Sequence, residues 1–281
     1  MKEEMIQNEA NHTDQEETRK ELVPTQIRSE RNGEDTEQFL KKLYIVGIGP
    51  GKKEGMTVEA AEALSRSDCI VGYHVYTQLV KADYPDKEYV TTPMTKEVDR
   101  CREALALADK GKTVSLICSG DAGVYGMSGL VWQLHGEYPD VDIQVVAGVT
   151  AALAGAAVLG APLIHDFALI SLSDLLTPWE KIEKRLLLAS EADFAIVLYN
   201  PSSKKRHDYL KKACDLILQH QSLETVCGLV ENIGREGETA KVFTLSQLRE
   251  ETVNMFTTVF IGNSQTRMID GKMVTPRGYT L

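Results

Sequence analysis

Short apolar runs alternate with helical patterns along the first half of this chain, and this order constrains the possible folds most strongly. Each run ends in small or polar residues, which is typical of a buried strand. We predict strands at Leu43–Ile48, Cys69–Gly72, Thr113–Cys118 and Val141–Val146. We predict helices at Val58–Ser67, Glu97–Lys110, Gly126–His135 and Thr150–Leu159. Such alternation predicts an α/β fold with a mostly parallel sheet covered by helices.

The second half of the chain is richer in strands. Because Gly160-Ala161-Pro162 interrupts the pattern, we predict a boundary there between an N-terminal lobe, residues 41–160, and a C-terminal lobe, residues 161–281. Helices are predicted at Trp179–Ala189 and Ser203–Gln219. Strands are predicted at Phe167–Ser171, Phe194–Tyr199, Thr225–Glu231, Thr239–Phe243 and Met255–Ile261, with short pieces near Met268 and Met273. Successive strands without helices between them indicate a mixed sheet with antiparallel members.

The negative charge is concentrated at the start of the chain. With 281 residues and 43% hydrophobic side chains, the chain can bury a sizeable core. The formal net charge of the whole chain is −10. Residues 1–40 hold eleven acidic and five basic side chains, and we predict a disordered acidic tail there. The basic clusters Lys204-Lys205-Arg206 and Lys211-Lys212 are assigned to the solvated face of one helix. Without a basic face, we expect no nucleic-acid partner.

Apolar runs and cysteines restrict the cellular setting. No apolar stretch approaches the roughly 20 residues that a membrane-spanning helix needs, so we expect no membrane partner. The N-terminus lacks the order of a signal peptide, and a cytoplasmic location is expected. The five cysteines form no CxxC pair, which favours buried, reduced thiols and no protein-bound metal.

Two glycine-rich turns follow predicted strands, one at Gly47–Gly51 and the other at Ser119–Gly126. Glycine has no Cβ, so the backbone of such turns can approach a ligand closely. Gly51-Lys52-Lys53 lacks the spacing and the hydroxyl of a P-loop. A dinucleotide site needs a carboxylate about twenty residues after its glycines, and none stands there. The turns therefore predict a crevice for another small molecule.

Three features near predicted strand ends each have two interpretations. The Asp121 carboxylate is placed to accept hydrogen bonds from a ligand or to close an Asx-turn. Thr150 begins a helix whose backbone N–H groups can bind an anion or an adenine edge, or it only caps that helix. The segment Tyr199–Ser203 is either a ligand loop or an ordinary helix start.

Several long motifs in this order resemble the tetrapyrrole methylase family, the S-adenosylmethionine-dependent methyltransferases of the cobalamin pathway. The resemblance covers Leu43 to Leu281 and is strongest to the precorrin-3B C17-methyltransferase type, including its cobalt-factor III counterpart. The motifs that carry it are Ser119–Met127, His165-Asp166-Phe167, Ser171–Trp179, Tyr199–Ser203, Asn232–Glu238 and Phe260–Ser264. One departure is Ala122, where some relatives have proline.

The resemblance implies two α/β lobes with S-adenosylmethionine folded in the cleft between them, a tetrapyrrole substrate and a homodimer. It implies that Pro50 faces the tetrapyrrole side of the cleft. The positions that it assigns to binding of the methyl donor or its surroundings are Pro50, Gly120, Asp121, Val124, Thr150, Ala151, Tyr199, Asn200 and Gly234.

The C17 type also contracts the macrocycle, and moving protons in that step favours a general acid or base. His74 is our catalytic candidate, because it follows the second predicted strand beside two tyrosines. The alternative is a positioning or structural role. Arg235 and Lys52 either pair with tetrapyrrole carboxylates or lie on the surface. His165-Asp166 either form an oriented pair or, as we favour from their place just before the strand that opens the second lobe, have a hinge or packing role.

Other functions on the same fold stay open at this point. One is a tetrapyrrole methylase with C11 or C20 specificity, and another is a ribosomal-RNA or diphthine methylase. A third is a tetrapyrrole-binding protein without catalysis, which would bind the macrocycle without needing the donor.

Overall fold

The first sheet is parallel throughout because helices or long loops connect its strands. The computed structural model describes residues 41–203 and 206–280, and the predicted acidic tail lies outside them. The elements are β1 (Lys42–Gly47), α1 (Val58–Arg66), β2 (Cys69–Tyr73), α2 (His74–Lys81), β3 (Glu88–Thr92), α3 (Glu97–Asp109), β4 (Thr113–Cys118), α4 (Ser128–Leu134) and β5 (Asp142–Val146). The strand order is β3-β2-β4-β1-β5.

Helices cover both faces of this sheet. Leu43 and Ile45 of β1 pack with α3 and α4, whereas Val46 and the following Ile48 pack with α1 and α2. The chain leaves β1 toward β2 on one side and leaves the adjacent β4 toward β5 on the other. Neighbouring strands whose connections diverge in this way leave a crevice outside their carboxyl ends.

The second sheet is mixed. Its elements continue as α5 (Ala151–Leu159), β6 (Gly160–Ala161), β7 (Phe167–Ser171), α6 (Trp179–Glu191), β8 (Ala195–Tyr199), α7 (Tyr209–Ile217), β9 (Val226–Glu231), β10 (Thr239–Thr244), α8 (Leu245–Leu248), β11 (Thr257–Ile261), β12 (Arg267–Ile269) and β13 (Lys272–Val274). The order is β10-β9-β11-β8-β7, with only β7 and β8 parallel. A small sheet joins β12, β13 and β6. The predicted fold class is confirmed.

Helix α5 packs on the second sheet, although it follows the last strand of the first. Its small residues allow a close approach, since a Cβ on Gly155 would lie 2.8 Å from Cζ of Phe260 in β11. Ala152, Ala156 and Leu159 share one buried cluster with Val197, Val230 and Phe260. All described residues belong to one compact unit, and the lobe boundary near residue 160 stays a prediction.

The structure differs from the expected elements in several places. Helix α7 begins at Tyr209 instead of Ser203, because Arg206 folds back to Asp174 at 3.1 Å and to the Ser173 hydroxyl at 2.7 Å. The elements α2, β3, β6 and α8 were not expected. Strand β3 lies at the sheet edge with sequence EYVTT, so it has no apolar run. In the part of the chain described, no helix is long and apolar enough to cross a membrane.

The carboxyl ends of β1, β4 and β5 meet through glycine backbone. Gly49 and Gly120 exchange two backbone hydrogen bonds of 3.0 and 2.8 Å. A Cβ on Gly47 would lie 2.7 Å from the Gly120 oxygen, and one on Gly148 would lie 2.5 Å from the Gly47 oxygen and closer still to that of Gly120. Only residues without side chains permit this approach.

We therefore expect Gly148→Ala to lower the free energy of unfolding by about 1–3 kcal/mol, because the added methyl overlaps backbone that cannot move aside. Gly129→Ala is the matched control, since a Cβ there meets nothing within 4 Å inside α4. That control is expected to be neutral or to stabilise by up to about 1 kcal/mol. Urea unfolding followed by circular dichroism measures both, and equal effects would contradict the close approach.

Candidate functional site

A cavity of about 230 Å³ opens where the carboxyl ends of strands from both sheets face each other. The side that follows the first sheet is lined by Pro50, Tyr76, Ser119, Gly120, Val124, Tyr125, Thr150 and Ala151. The other side is lined by Tyr199, Asn200, Asn232, Ile233, Arg235, Met255, Phe256, Thr257 and Thr258. Both glycine-rich turns thus contribute to one cavity, as does the start of α5.

The cavity brings together most residues singled out from the sequence. Those that line it are Pro50, Gly120, Val124, Thr150, Ala151, Tyr199 and Asn200. Asp121, Gly234 and His74 do not line it. The binding role of each residue stays a prediction.

Asp121 is occupied by backbone donors. Its Oδ1 accepts hydrogen bonds from the N–H groups of Gly123 at 2.7 Å and Val124 at 3.1 Å, which is the Asx-turn interpretation. Its Oδ2 accepts a third bond from the N–H of Gly148 at 2.9 Å. Because Gly148 follows β5 and Asp121 follows β4, this carboxylate holds two cavity loops together.

Tyr199 caps a helix from a different element. Thr150 has the N-cap position of α5, but its side chain makes no capping bond. Instead the hydroxyl of Tyr199 accepts the N–H of Ala152 at 2.7 Å and lies 2.6 Å from the Thr150 hydroxyl. Burial raises the pKa of the Tyr199 hydroxyl, so it stays protonated. The capping interpretation of Thr150 thus holds for its backbone position only.

Tyr125 connects the turn after β4 to the second sheet. It has a φ of +53°, in the left-handed region, and its side chain is exposed. Its hydroxyl donates to the carbonyl of Leu169 at 3.0 Å and accepts the N–H of Ser171 at 3.1 Å, both in edge strand β7. The Tyr125 ring also lies 5.7 Å from that of Tyr199. These bonds tie the two sides of the cavity.

Arg235 lines the cavity and bonds to residues that follow β1 and β4. Its Nε donates to the carbonyl of Pro50 at 3.2 Å, and its Nη2 donates to the hydroxyl of Ser119 at 2.8 Å. The guanidinium carbon lies 5.8 Å from the ring centre of Tyr76 and 5.9 Å from that of Phe256. Burial lowers the pKa of Arg235, and the nearby Tyr76 offsets part of that change.

Gly234 serves the packing of loops. Its φ is +66°, and its N–H donates to the Glu238 carboxylate at 2.6 Å. A Cβ on Gly51 would overlap the Gly234 carbonyl oxygen, so these two turns also touch through backbone. Gly234 therefore positions the neighbouring Arg235.

His74 begins α2 and is exposed. Its ring lies edge-on to Tyr73 at 4.5 Å, and Tyr73 in turn contacts Tyr76 at 5.2 Å. One aromatic ring therefore separates His74 from a residue that lines the cavity. Lys52 is exposed in the loop after β1 and lies outside the cavity lining.

Sequence reasoning missed several lining residues. Met255–Thr258 enter the site because β11 runs antiparallel to β8 and β9, so its amino end lies beside their carboxyl ends. Tyr76 lies on a helix that was not expected. The sequence could have indicated Ser119 as a lining residue, since it directly follows the last residue of β4.

Nucleophilic thiols do not contribute to the site. All five cysteines are buried and free, and burial raises the pKa of Cys118, the one nearest the turn after β4, to about 11. Across the described residues, no group of three or more His, Cys, Asp or Glu side chains is arranged to hold a metal ion. The cavity instead offers aromatic faces, hydroxyls, amides, backbone groups and the guanidinium of Arg235, which can bind and orient a ligand.

The chain belongs to the Tetrapyrrole (Corrin/Porphyrin) Methylases, because residues 42–249 match the model of that family. The probable cobalt-factor III C(17)-methyltransferase of Salmonella typhimurium is 49% identical over 240 residues, 85% of this chain and 100% of that protein. The precorrin-3B C(17)-methyltransferase of a Sinorhizobium species is 40% identical over 248 residues, 84% of this chain and 96% of that protein.

Some relatives are longer. The cobalt-factor III methyltransferase of Priestia megaterium is 43% identical over 243 residues, which are 85% of this chain but 45% of that protein. Among solved structures, the methyltransferase CobJ has a TM-score of 0.77 at 33% identity, covering 83% of this chain and 99% of CobJ. The resemblance stated from the sequence is therefore confirmed.

The three bonds to Asp121 yield a prediction. In Asp121→Asn, the remaining oxygen can still accept the N–H groups of Gly123 and Val124. The new NH₂ group then faces the N–H of Gly148, and since both are donors, that hydrogen bond is lost. We expect the free energy of unfolding to fall by about 1–3 kcal/mol, and the affinity for S-adenosylhomocysteine to fall with it, because the loops separate. Asp86→Asn, an exposed carboxylate outside the cavity, is the control. Unchanged stability and affinity in Asp121→Asn, measured by urea unfolding and calorimetry, would refute this role.

Proposed function

We propose that this chain transfers a methyl group from S-adenosylmethionine to C17 of precorrin-3B or cobalt-factor III, with contraction of the ring. The product would be precorrin-4 from precorrin-3B or, with a two-electron reductant, cobalt-precorrin-4 from cobalt-factor III, in the biosynthesis of the corrin ring of cobalamin. The observation that carries the proposal is the cavity, which is built from the motifs shared with this type of methylase. Relatives named for C17 methylation, at 40% and 49% identity over nearly their whole length, support the same position on the ring.

The residues present fit a sulfonium donor. The donor supplies a methyl group on positively charged sulfur, and such a transfer needs alignment and the exclusion of water more than a nucleophile. The rings of Tyr125, Tyr199 and Phe256 offer faces that attract a cation. The backbone of Gly120 and Ala151 allows close contact, since neither carries more than a methyl side chain. Tyr199 holds the start of α5 in place beside them.

The cavity is too small to enclose both substrates of the proposed reaction. At about 230 Å³ it lies below the range of roughly 300–1,000 Å³ that encloses a drug-sized molecule. A tetrapyrrole is larger still, so we propose that it lies at the mouth, beyond the donor. Met255 and Phe256 expose apolar surface there, which suits the face of a macrocycle.

Two further features belong to the proposal. We place the enzyme in the cytoplasm, because five free cysteines are consistent with a reducing compartment. We also propose a homodimer, on the resemblance to the family. Neither bears on the chemistry of the cavity.

The proposed function is tested with donor carrying a ¹³C-labelled methyl group, incubated with the protein and precorrin-3B or cobalt-factor III. We expect one labelled methyl at C17 by ¹³C NMR and one S-adenosylhomocysteine per product by mass spectrometry. A reaction without tetrapyrrole controls for breakdown of the donor. Label at C11 or C20 would contradict the position, and macrocycle binding without transfer would indicate a binding protein.

His74 is proposed as the proton-transferring group in ring contraction. His74→Ala and His74→Phe are expected to slow contraction by about 100-fold or more while leaving the affinity for S-adenosylhomocysteine unchanged. His220→Ala, another exposed histidine, is the control. Product analysis by mass spectrometry and calorimetry of donor binding separate the two effects. Equal loss of both would mean that His74 only shapes the cleft.

A further inference from the structure

We propose that Arg235 anchors a ligand carboxylate inside the cavity. The assignment rests on the proposed function and deepens it, because it states which chemical group the cavity recognises and by which side chain. Arg235 is the one charged side chain among the described residues that line the cavity. The other polar lining groups are hydroxyls, amides and backbone groups. Because they are neutral, they favour an anion over a neutral ligand less strongly than a guanidinium does.

The hydrogen bonds of Arg235 leave part of its guanidinium available. Both of its partners, the Pro50 carbonyl and the Ser119 hydroxyl, are neutral. Nη1 donates to no atom of the described residues, and no carboxylate among them forms an ion pair with Arg235. The nearby Glu238 carboxylate accepts the N–H of Gly234 within its own turn. An exogenous carboxylate therefore meets an unneutralised cation.

Arg100 shows how a purely structural arginine is satisfied in this chain. It is buried and also lacks a carboxylate, but all three of its nitrogens donate: to the Thr92 hydroxyl, the Pro93 carbonyl and the Met127 sulfur. Arg235 differs in having a nitrogen without such a partner and in lining the cavity. That difference separates a ligand-facing arginine from one that only supports the fold.

The environment of Arg235 strengthens its interaction with an anion. The guanidinium carbon lies within 6 Å of the ring centres of both Tyr76 and Phe256, and the group is partly buried. A partly desolvated cation gains more from a charge-assisted hydrogen bond than an exposed one does. The planar fork of arginine also matches the two oxygens of a carboxylate.

Two ligands of the proposed reaction carry this group. One source is the amino-acid end of the methyl donor, and the other is an acetate or propionate side chain of the tetrapyrrole. The test compares S-adenosylhomocysteine with 5′-methylthioadenosine, which lacks the amino-acid end, by calorimetry. It also measures KM for the tetrapyrrole in the methyl-transfer assay. The proteins are wild type, Arg235→Gln, Arg235→Lys and, as control, Arg185→Gln on the exposed surface of α6.

If the donor supplies the carboxylate, Arg235→Gln raises the Kd of S-adenosylhomocysteine by about 10- to 100-fold and changes that of methylthioadenosine by less than about twofold. If the tetrapyrrole supplies the carboxylate, KM for the tetrapyrrole rises by about 10- to 100-fold. The Kd values of S-adenosylhomocysteine and methylthioadenosine then stay unchanged. Arg235→Lys is expected to restore part of the loss, because it keeps the charge.

Two results would overturn the assignment. One is an Arg235→Gln variant with all three constants unchanged. The other is equal weakening of both adenosine ligands, which means that the loops have lost their arrangement. A wild-type protein that binds neither adenosine ligand would overturn the proposed function itself, and the two failures are therefore distinguishable.

Discussion

The site depends on backbone-to-backbone contact among Gly47, Gly120 and Gly148. These glycines bring the carboxyl ends of β1, β4 and β5 closer than any side chain would permit. The Asp121 carboxylate then fixes that approach by accepting N–H groups from the turn after β4 and from the segment after β5. A carboxylate with three N–H donors is well satisfied in a half-buried place. The shape of the cavity wall thus follows from glycine positions and one acidic residue.

The opposite wall is held by hydroxyl groups that reach across the cavity. Tyr199 ends β8 and caps α5, while Tyr125 leaves the turn after β4 and bonds to edge strand β7. Edge strands have unpaired backbone groups, and the Tyr125 hydroxyl satisfies two of them. Because both tyrosines also line the cavity, a change in ligand contact there is coupled to the contact between the two sheets.

The sequence was sufficient to predict those parts of the cavity that directly follow predicted strands. The turn that contains Gly120 and the helix start at Thr150 were predicted because each follows a predicted strand, and parallel strands end at one edge. Val124 was assigned only by the resemblance to the family. Met255 and Phe256 were missed, because an antiparallel strand enters the site at its amino end and strand pairing is a long-range property. The bond from Asp121 to Gly148 was equally hidden, since it joins segments that are distant along the chain. Local pattern offered the Asx-turn as one of two interpretations of Asp121, but it did not indicate the bond to Gly148.

The charge of the cavity is consistent with methyl transfer from a sulfonium. Positive charge on sulfur decreases as the methyl group leaves, so a carboxylate beside the sulfur would stabilise the ground state more than the transition state and raise the barrier. No acidic side chain is present among the described residues that line the cavity. Asp121, which directly follows the lining residue Gly120, is occupied by backbone N–H groups. Neutral aromatic faces can hold a cation with less of that penalty, and Arg235 is the one cationic side chain among the described lining residues.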